Sequence, residues 1–320
     1  ITFEDRIKGK ITFNTNDMDD QVLIKEDGYP TYHFAVIVDD HEMGITHVVR
    51  GDEWISSTPK HVFLYQAFGW EAPEYIHLPT VLNKDHKKYS KRNGDGMVED
   101  FIERGYLPEG LINYLALLGW SPDSEEEIFT MKELADQFTF DRVNKTGAVF
   151  DVRKLDWVNG HYVREMSVED LAAAIKPYCI EAGFFGEDYS NEKLNLLAAT
   201  WQSAIDKFSD IKDEAYVYYV DDKDMKWTDE AVEAIKTDEA KTLFDAFIGK
   251  LEEVDEVDLD FAKTIMKSIQ KETGIKGKNL WFPVRAGLTG NVHGPELVNA
   301  FVIMGKEKMI DRLNYVKENF

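Results

Sequence analysis

Four cations fall within six positions at Lys87, Lys88, Lys91 and Arg92, interrupted only by Tyr89 and Ser90 and followed by Asn93-Gly94. In a chain of formal net charge −23 this concentration has two readings. One is a solvated basic turn. The other is a loop that neutralises a polyphosphate as charge moves onto a leaving pyrophosphate, with the small Ser90 leaving room between the cations. A second group lies in PTYHFAVIVDDH (30–41) and GITHVVRGDEW (44–54). There Tyr32 supplies a phenol, and Arg50 a planar fork suited to a carboxylate. Asp39, Asp40, His41, Asp52 and Glu53 stand nearby. Alternatives stay open for both parts: Arg50 pairing with an acidic neighbour, and Asp-Asp-His as a metal site or a capped turn. A third group is GIKGKNLWFPVRAGLTG (274–290), where Lys276, Lys278 and Arg285 are interleaved with Trp281 and Phe282. Cations among aromatics suit nucleic-acid phosphates and unstacked bases. The competing reading makes the two aromatics core residues of an irregular linker.

Side chains of this kind act only when elements position them. The first thirty residues read as short strands with turns, Asp27-Gly28 marking one of them. Residues 31–38 form an almost continuous apolar run of the kind found in a buried strand, and 45–51 form a second. Ser56-Ser57-Thr58-Pro59 opens a helix through hydroxyl caps and a first-turn proline, and the helix stops near Gly69. A strand is expected within 75–82, just before the basic loop. Strand, strand, helix, strand is the order of an α/β nucleotide-binding sheet, whose ligands lie at strand ends. From about residue 97 the period becomes 3.6 and stays helical to the end, apart from 274–295. That Gly- and Pro-containing stretch is expected to be a long irregular segment.

Composition sets the outer limits. The chain has 320 residues, a length that predicts two or three domains, and 43% hydrophobic residues, enough for sizeable cores. No stretch approaches 18 uncharged apolar residues, so no membrane partner is expected. The single cysteine, Cys179, excludes an internal disulfide and a cysteine-cluster zinc site, and is in keeping with a reducing cytoplasm. A pI near 4.7 argues against nonspecific nucleic-acid binding while allowing local basic patches. The opening ITFEDRIKGK, without methionine, reads as a start in mid-protein.

Taken together, these segments resemble the bacterial-type glutamyl-tRNA synthetases, class I aminoacyl-tRNA synthetases. DGYPTYHFAVIVDDHEMGITHVVRGDEWISSTPKHVFLYQAFGWEAPEYIHLP is similar to that family almost continuously, and KYSKR stands where its second signature, K-[MILF]-S-K-[RS], is found. GYLPEGLINYLALLGWSP, GAVFDVRKLDWVNGHYVR and NLWFPVRAGLTGNVHGPEL are also family-like. The resemblance implies an α/β, partial Rossmann-like nucleotide-binding fold followed by an all-α C-terminal region. Its implied divisions are 1–30, the tail of an acceptor-stem-binding insertion; 31–95, the second half of the Rossmann-like domain; 96–165, a stem-contact region; and 166–320, a helical anticodon-binding region.

It further implies that Tyr32 and Arg50 hold glutamate, Arg50 through the α-carboxylate. Glu53 and Trp54 meet ATP and the tRNA end, and backbone groups at Val81 and Leu82 read adenine. Lys88, Ser90, Lys91 and Arg92 stabilise the triphosphate, with Lys88 and Lys91 as the catalytic pair. Lys276, Lys278 and Arg285 are the candidates for contact with tRNA. ATP with Mg²⁺, glutamate and a glutamate tRNA are the implied partners of a cytoplasmic monomer with no structural zinc. Val36 stands where some members carry asparagine, and the first class I signature, of the H-[IV]-G-H type, is not found. The expectation is therefore the C-terminal part of a glutamate–tRNA ligase, inactive by itself. The alternative is a noncatalytic tRNA-binding or protein-interaction module.

Overall fold

The protein is described by a computed structural model covering residues 1–90 and 96–320. Lys91 and Arg92 lie outside the described residues. The chain forms two compact units, residues 1–102 with 108–158, and 103–107 with 159–320.

The first unit is built on a four-stranded sheet of order β2-β1-β4-β3. Strands β1 (Thr2–Asp5) and β2 (Gly9–Thr12) form an antiparallel hairpin, while β1, β4 (Glu74–Leu78) and β3 (His47–Gly51) run parallel. Alternation along β4 sends Ile76 to one face, with Ile7, Trp120, Phe129 and Leu134, and Tyr75 to the other, with Phe3 and Val62. β4 is therefore covered on both faces. Because β1 pairs with β4, residues 2–12 share one sheet with residues 47–78.

Residues 31–38 are not a strand. They open α1 (Tyr32–Glu42), which starts at Thr31 in extended conformation just after Pro30. The aromatic and β-branched run favours a strand locally, but only one stripe of it is buried. Ile37 packs on Leu64 and Tyr65 of α2 (Thr58–Phe68), so tertiary packing overrides propensity. Helix α2 begins and ends where the sequence predicts, at Pro59 and Gly69. Its hydroxyls do not cap it, however: Ser57 and Thr58 both donate back to the Trp54 carbonyl, 2.9 Å away in each case.

Helices α3 (Val98–Glu103), α4 (Pro108–Gly119), α5 (Met131–Gln137) and α6 (Val152–Glu165) follow. The second unit is helical among its described residues. It contains α7 (Val168–Glu181), α8 (Asn191–Trp201), the short α9 (Ile211–Glu214) and α10 (Tyr216–Tyr219), and α11 (Asp229–Ile235). It ends with α12 (Asp238–Glu252), α13 (Leu259–Thr273), α14 (Lys278–Thr289) and α15 (Leu297–Asn319). The expected irregular segment at 274–295 is thus mostly α14, with Pro283 inside it and irregular chain only at its ends. α15 is in fact broken at Gly305, whose φ of 73° and ψ of 173° suit glycine alone. The fully buried Arg312 ties this half together through Asp222 and the carbonyls of Val217, Val220 and Leu288. No helix among the described residues is long and apolar enough to cross a membrane.

Candidate functional site

The parallel register of β3 and β4 places Arg50 opposite His77. Two-residue alternation puts His77 on the same sheet face as Tyr75, and the Arg50 guanidinium lies 5.6 Å from the Tyr75 ring centroid. The first turn of α2 closes over this face, bringing Thr58 and His61, three residues apart, to the same guanidinium. Arg50 donates from Nε to His77 Nε2 at 3.1 Å and from Nη2 to Thr58 Oγ1 at 2.8 Å, and its Nη1 stands 3.3 Å from His61 Nδ1. On the solvent side the first turn of α1 contributes Tyr32, whose ring is 5.2 Å from that of Trp54. Trp54 in turn lies 5.7 Å from the Arg50 guanidinium.

Charge and tautomer follow from these contacts. Asp5 Oδ1 accepts from the backbone N–H groups of Ile7 and Lys8, while Oδ2 accepts from the His77 backbone N–H at 3.0 Å and faces His77 Nδ1 at 2.6 Å. A carboxylate only accepts, so Nδ1 carries the His77 proton and Nε2 is left to accept from Arg50. Likewise His61 presents Nδ1 to a permanent donor, so its proton sits on Nε2 and points at His33 Nδ1, 2.8 Å away. Burial, and then the Arg50 charge, push His61 down to about 3. His33 and His77 are also lowered, burial being the main cause for each. Burial lowers the Arg50 pKa too, yet an arginine stays charged. Among the described residues no carboxylate forms an ion pair with it. The result is a half-buried guanidinium on neutral acceptors, beside a phenol and an indole. Below it the hydroxyls of Tyr65 and Tyr75 are buried without a hydrogen-bond partner among the described residues.

The turn after Arg50 leads to the phosphate-side candidates. Glu53 and Trp54 sit in the 3₁₀ turn Asp52–Ser57, and Glu53 Oε1 accepts from Lys88 Nζ at 2.9 Å. Both side chains of that pair are about half exposed, and the hydrogen bond from Lys88 lowers the Glu53 pKa. Val81 and Leu82 begin the loop that carries Lys88. The Leu82 N–H and C=O are both engaged, by Ala148 and Phe150, and the Val81 C=O accepts from Tyr89. Of these four backbone groups only the Val81 N–H is left without a partner among the described residues. Gly147 permits this pairing, since a Cβ there would stand 2.5 Å from the Thr80 carbonyl oxygen. Tyr89, at the apolar position of the second signature, packs 4.9 Å from Phe150, which also contacts Phe101 and Tyr114. That aromatic anchor fixes one end of the basic loop. Among the described residues no three His, Cys, Asp or Glu side chains come together to hold a metal; Asp39, Asp40 and His41 lie in α1 rather than in a strand-end cluster.

In the second unit Lys276 and Lys278 are exposed at the start of α14, with Lys278 5.5 Å from the Phe282 ring and Trp281 also exposed. Arg285 differs. It is partly buried, donates to the Pro295 carbonyl, and lines a cleft with Trp201, Tyr218 and His293. Asp5, Thr58, His61 and His77 were not singled out in the sequence. The available signal was the pairing of HVVRG with YIHL, which sets Arg50 beside His77 once a parallel register is assumed.

Comparison with known proteins adds to this picture. A family model described as the catalytic domain of class I tRNA synthetases (E and Q) matches residues 1–157, and an anticodon binding domain model matches residues 170–317. A glutamate–tRNA ligase of Finegoldia magna is 54% identical over 98% of this chain and 64% of its own length. One from Alkaliphilus metalliredigens is 48% identical over 100% and 65%. A crystal structure of a glutamate tRNA ligase from Elizabethkingia meningosepticum, in complex with its amino acid, superposes with a TM-score of 0.83 at 33% identity, covering 100% of this chain and 66% of that one. The chain thus spans about two thirds of the length of these relatives.

Proposed function

Since the chain belongs to the class I tRNA synthetase family for glutamate and glutamine, with a catalytic and an anticodon-binding domain, we propose that it is part of a glutamate–tRNA ligase. The observation that carries this reading is the Arg50 guanidinium, held by neutral acceptors and unpaired with any described carboxylate, beside Trp54, whose ring meets that of Tyr32. A small-molecule carboxylate completes it. Arg50 takes the glutamate α-carboxylate and orients one oxygen toward the α-phosphorus of ATP, with Tyr32 beside the same substrate. That oxygen forms a P–O bond as the bond to pyrophosphate breaks, giving glutamyl-adenylate. A ribose hydroxyl of the tRNA end then attacks the acyl carbon, and AMP leaves with the bonding electrons. No covalent intermediate with the protein is required; orientation and charge stabilisation carry the acceleration.

Lys88 shifts from Glu53 to the phosphates when the nucleotide arrives, and Lys91, Arg92 and Ser90 act in the same loop. Glu53 and Trp54 border the nucleotide, and the Val81 N–H is the backbone group with capacity to read adenine. Mg²⁺ enters as part of the substrate MgATP. In the second unit Lys276 and Lys278 meet tRNA phosphates with Trp281 beside them, and Arg285 acts from its cleft near Pro295. The protein works in the cytoplasm as a monomer. The test is attachment of radiolabelled glutamate to tRNA by the protein at full length. Charging with glutamate and not with other amino acids supports the reading, and tRNA binding without any charging overturns it.

A further inference from the structure

The hydrogen bonds around Arg50 have a direction. Asp5 can only accept, which makes His77 a donor at Nδ1 and an acceptor at Nε2. Arg50 can only donate, which makes His61 an acceptor at Nδ1 and a donor at Nε2 toward His33. Thr58 accepts from Arg50, and its single proton faces two acceptors, the Trp54 carbonyl at 2.9 Å and His77 Nε2 at 3.2 Å. The polarity of each bond to Arg50 and to Asp5 is therefore fixed from two ends, an anchored carboxylate and a permanent cation. Asp5, Thr58, His61 and His77 are each at most 3% exposed, so water does not compete for these bonds.

We propose that Asp5, His77, Thr58 and His61 are a positioning set for Arg50. They fix the plane of the guanidinium through neutral acceptors and leave its charge to a single bound carboxylate. This rests on the reading that Arg50 receives the α-carboxylate of glutamate. An acidic partner in place of His77 or His61 would hold the arginine equally well but would spend its charge. Asp5 acts at one remove: its carboxylate compensates the local charge without touching the guanidinium, and it selects the His77 tautomer that Arg50 needs.

The isosteric change Asp5→Asn isolates that role. Oδ1 of Asp5 accepts from two backbone N–H groups and Oδ2 from one, that of His77, so the asparagine carbonyl keeps the Oδ1 place and its NH₂ turns to His77, at the cost of that one backbone bond. His77 must then accept at Nδ1 and carry its proton on Nε2, where it opposes the Arg50 Nε–H. Two-bond ¹⁵N–¹H correlation spectra of the histidine-labelled 320-residue chain at pH 7 read the tautomers directly. His77 is expected as Nδ1–H, and His61 and His33 as Nε2–H. Asp5→Asn is expected to move His77 to Nε2–H. In the full-length protein it should raise the glutamate KM about tenfold, with kcat for pyrophosphate exchange little changed. An imidazolium or Nε2–H form of His77 in the unsubstituted chain overturns the proposal, and that measurement does not depend on the variant folding. An unaltered tautomer or KM in a folded Asp5→Asn protein also overturns it. Arg50→Lys separates the two levels. If it weakens glutamate binding and Asp5→Asn does not, the positioning proposal fails; if it leaves glutamate binding unchanged, the assignment of Arg50 fails.

Discussion

Arg50 and Lys88 are the two cations on which the proposed chemistry turns, and they are held in opposite ways. Arg50 is gripped at three points by buried neutral groups that two elements supply, His77 from β4 and Thr58 and His61 from α2. The Lys88 ion pair with Glu53, on the turn that follows Arg50, is exposed. Hydrogen bonds to a charged group contribute about 1.5–3 kcal/mol each, whereas an exposed ion pair contributes about 0–1 kcal/mol. On the proposed reading the amino-acid side of the site is therefore preformed, and the Glu53–Lys88 ion pair on the phosphate side is a weak clasp. That suits a reaction in which the carboxylate must be aimed before attack, while the phosphate charge must be followed as it moves.

Substitutions can break or sharpen this contrast. The largest effect is expected from Arg50→Ala in the full-length protein. Loss of about 3 kcal/mol of transition-state binding lowers kcat/KM for glutamate roughly a hundredfold, while tRNA affinity measured by filter binding stays constant. A parallel loss of tRNA affinity would remove Arg50 from the amino-acid site.

Acid is the next probe. The folded pKa values of His33, His61 and His77 lie below the ordinary histidine value, so the unfolded chain binds protons more readily. Stability is complete above about pH 6.5 and is lost as pH falls below it. With His61 near 3, that residue alone costs up to about 2 kcal/mol at pH 5. Urea midpoints between pH 7.5 and 5 should fall, and His61→Gln should flatten the slope; a flat profile in the unsubstituted chain argues against neutral buried histidines.

Thr58→Val removes one acceptor from Arg50 and leaves its N–H without a partner, an effect of about 1–2 kcal/mol visible as a several-fold rise in glutamate KM. The smallest effect is expected from Glu53→Gln. Stability should change by less than about 1 kcal/mol, and ATP KM should fall slightly as the Glu53–Lys88 ion pair is lost. A large loss of stability there would mean that Lys88 is built in as firmly as Arg50.

How much of this was legible in the sequence depended on whether local signals or tertiary pairing decided each element. Pro59 and Gly69 bracketed α2 correctly because both act through their own backbone. Apart from Lys278–Thr289, the longer helices from α7 onward were visible in their 3.6-residue period, and KYSKR with HVVRGDEW carried the family. Tyr32–Glu42 was misread because its β-branched and aromatic residues suit a strand, and only the packing of Ile37 on Leu64 and Tyr65 shows which way it folds. The same holds for Lys278–Thr289, where Gly277 and Pro283 masked a helix whose Leu280 and Val284 are buried. The histidines around Arg50 were invisible for a deeper reason. His33, His61 and His77 are scattered across 45 positions; only the β3–β4 register and the closure of α2 bring His77 and His61 to one guanidinium, with His33 of α1 behind His61.

Glutamate-dependent ATP–pyrophosphate exchange by the full-length protein, with tRNA present and with Arg50→Ala alongside, tests the central claim most directly. Exchange that requires glutamate and falls about a hundredfold in the variant is the predicted result. Exchange driven equally by another amino acid, or undiminished by the loss of Arg50, would contradict it.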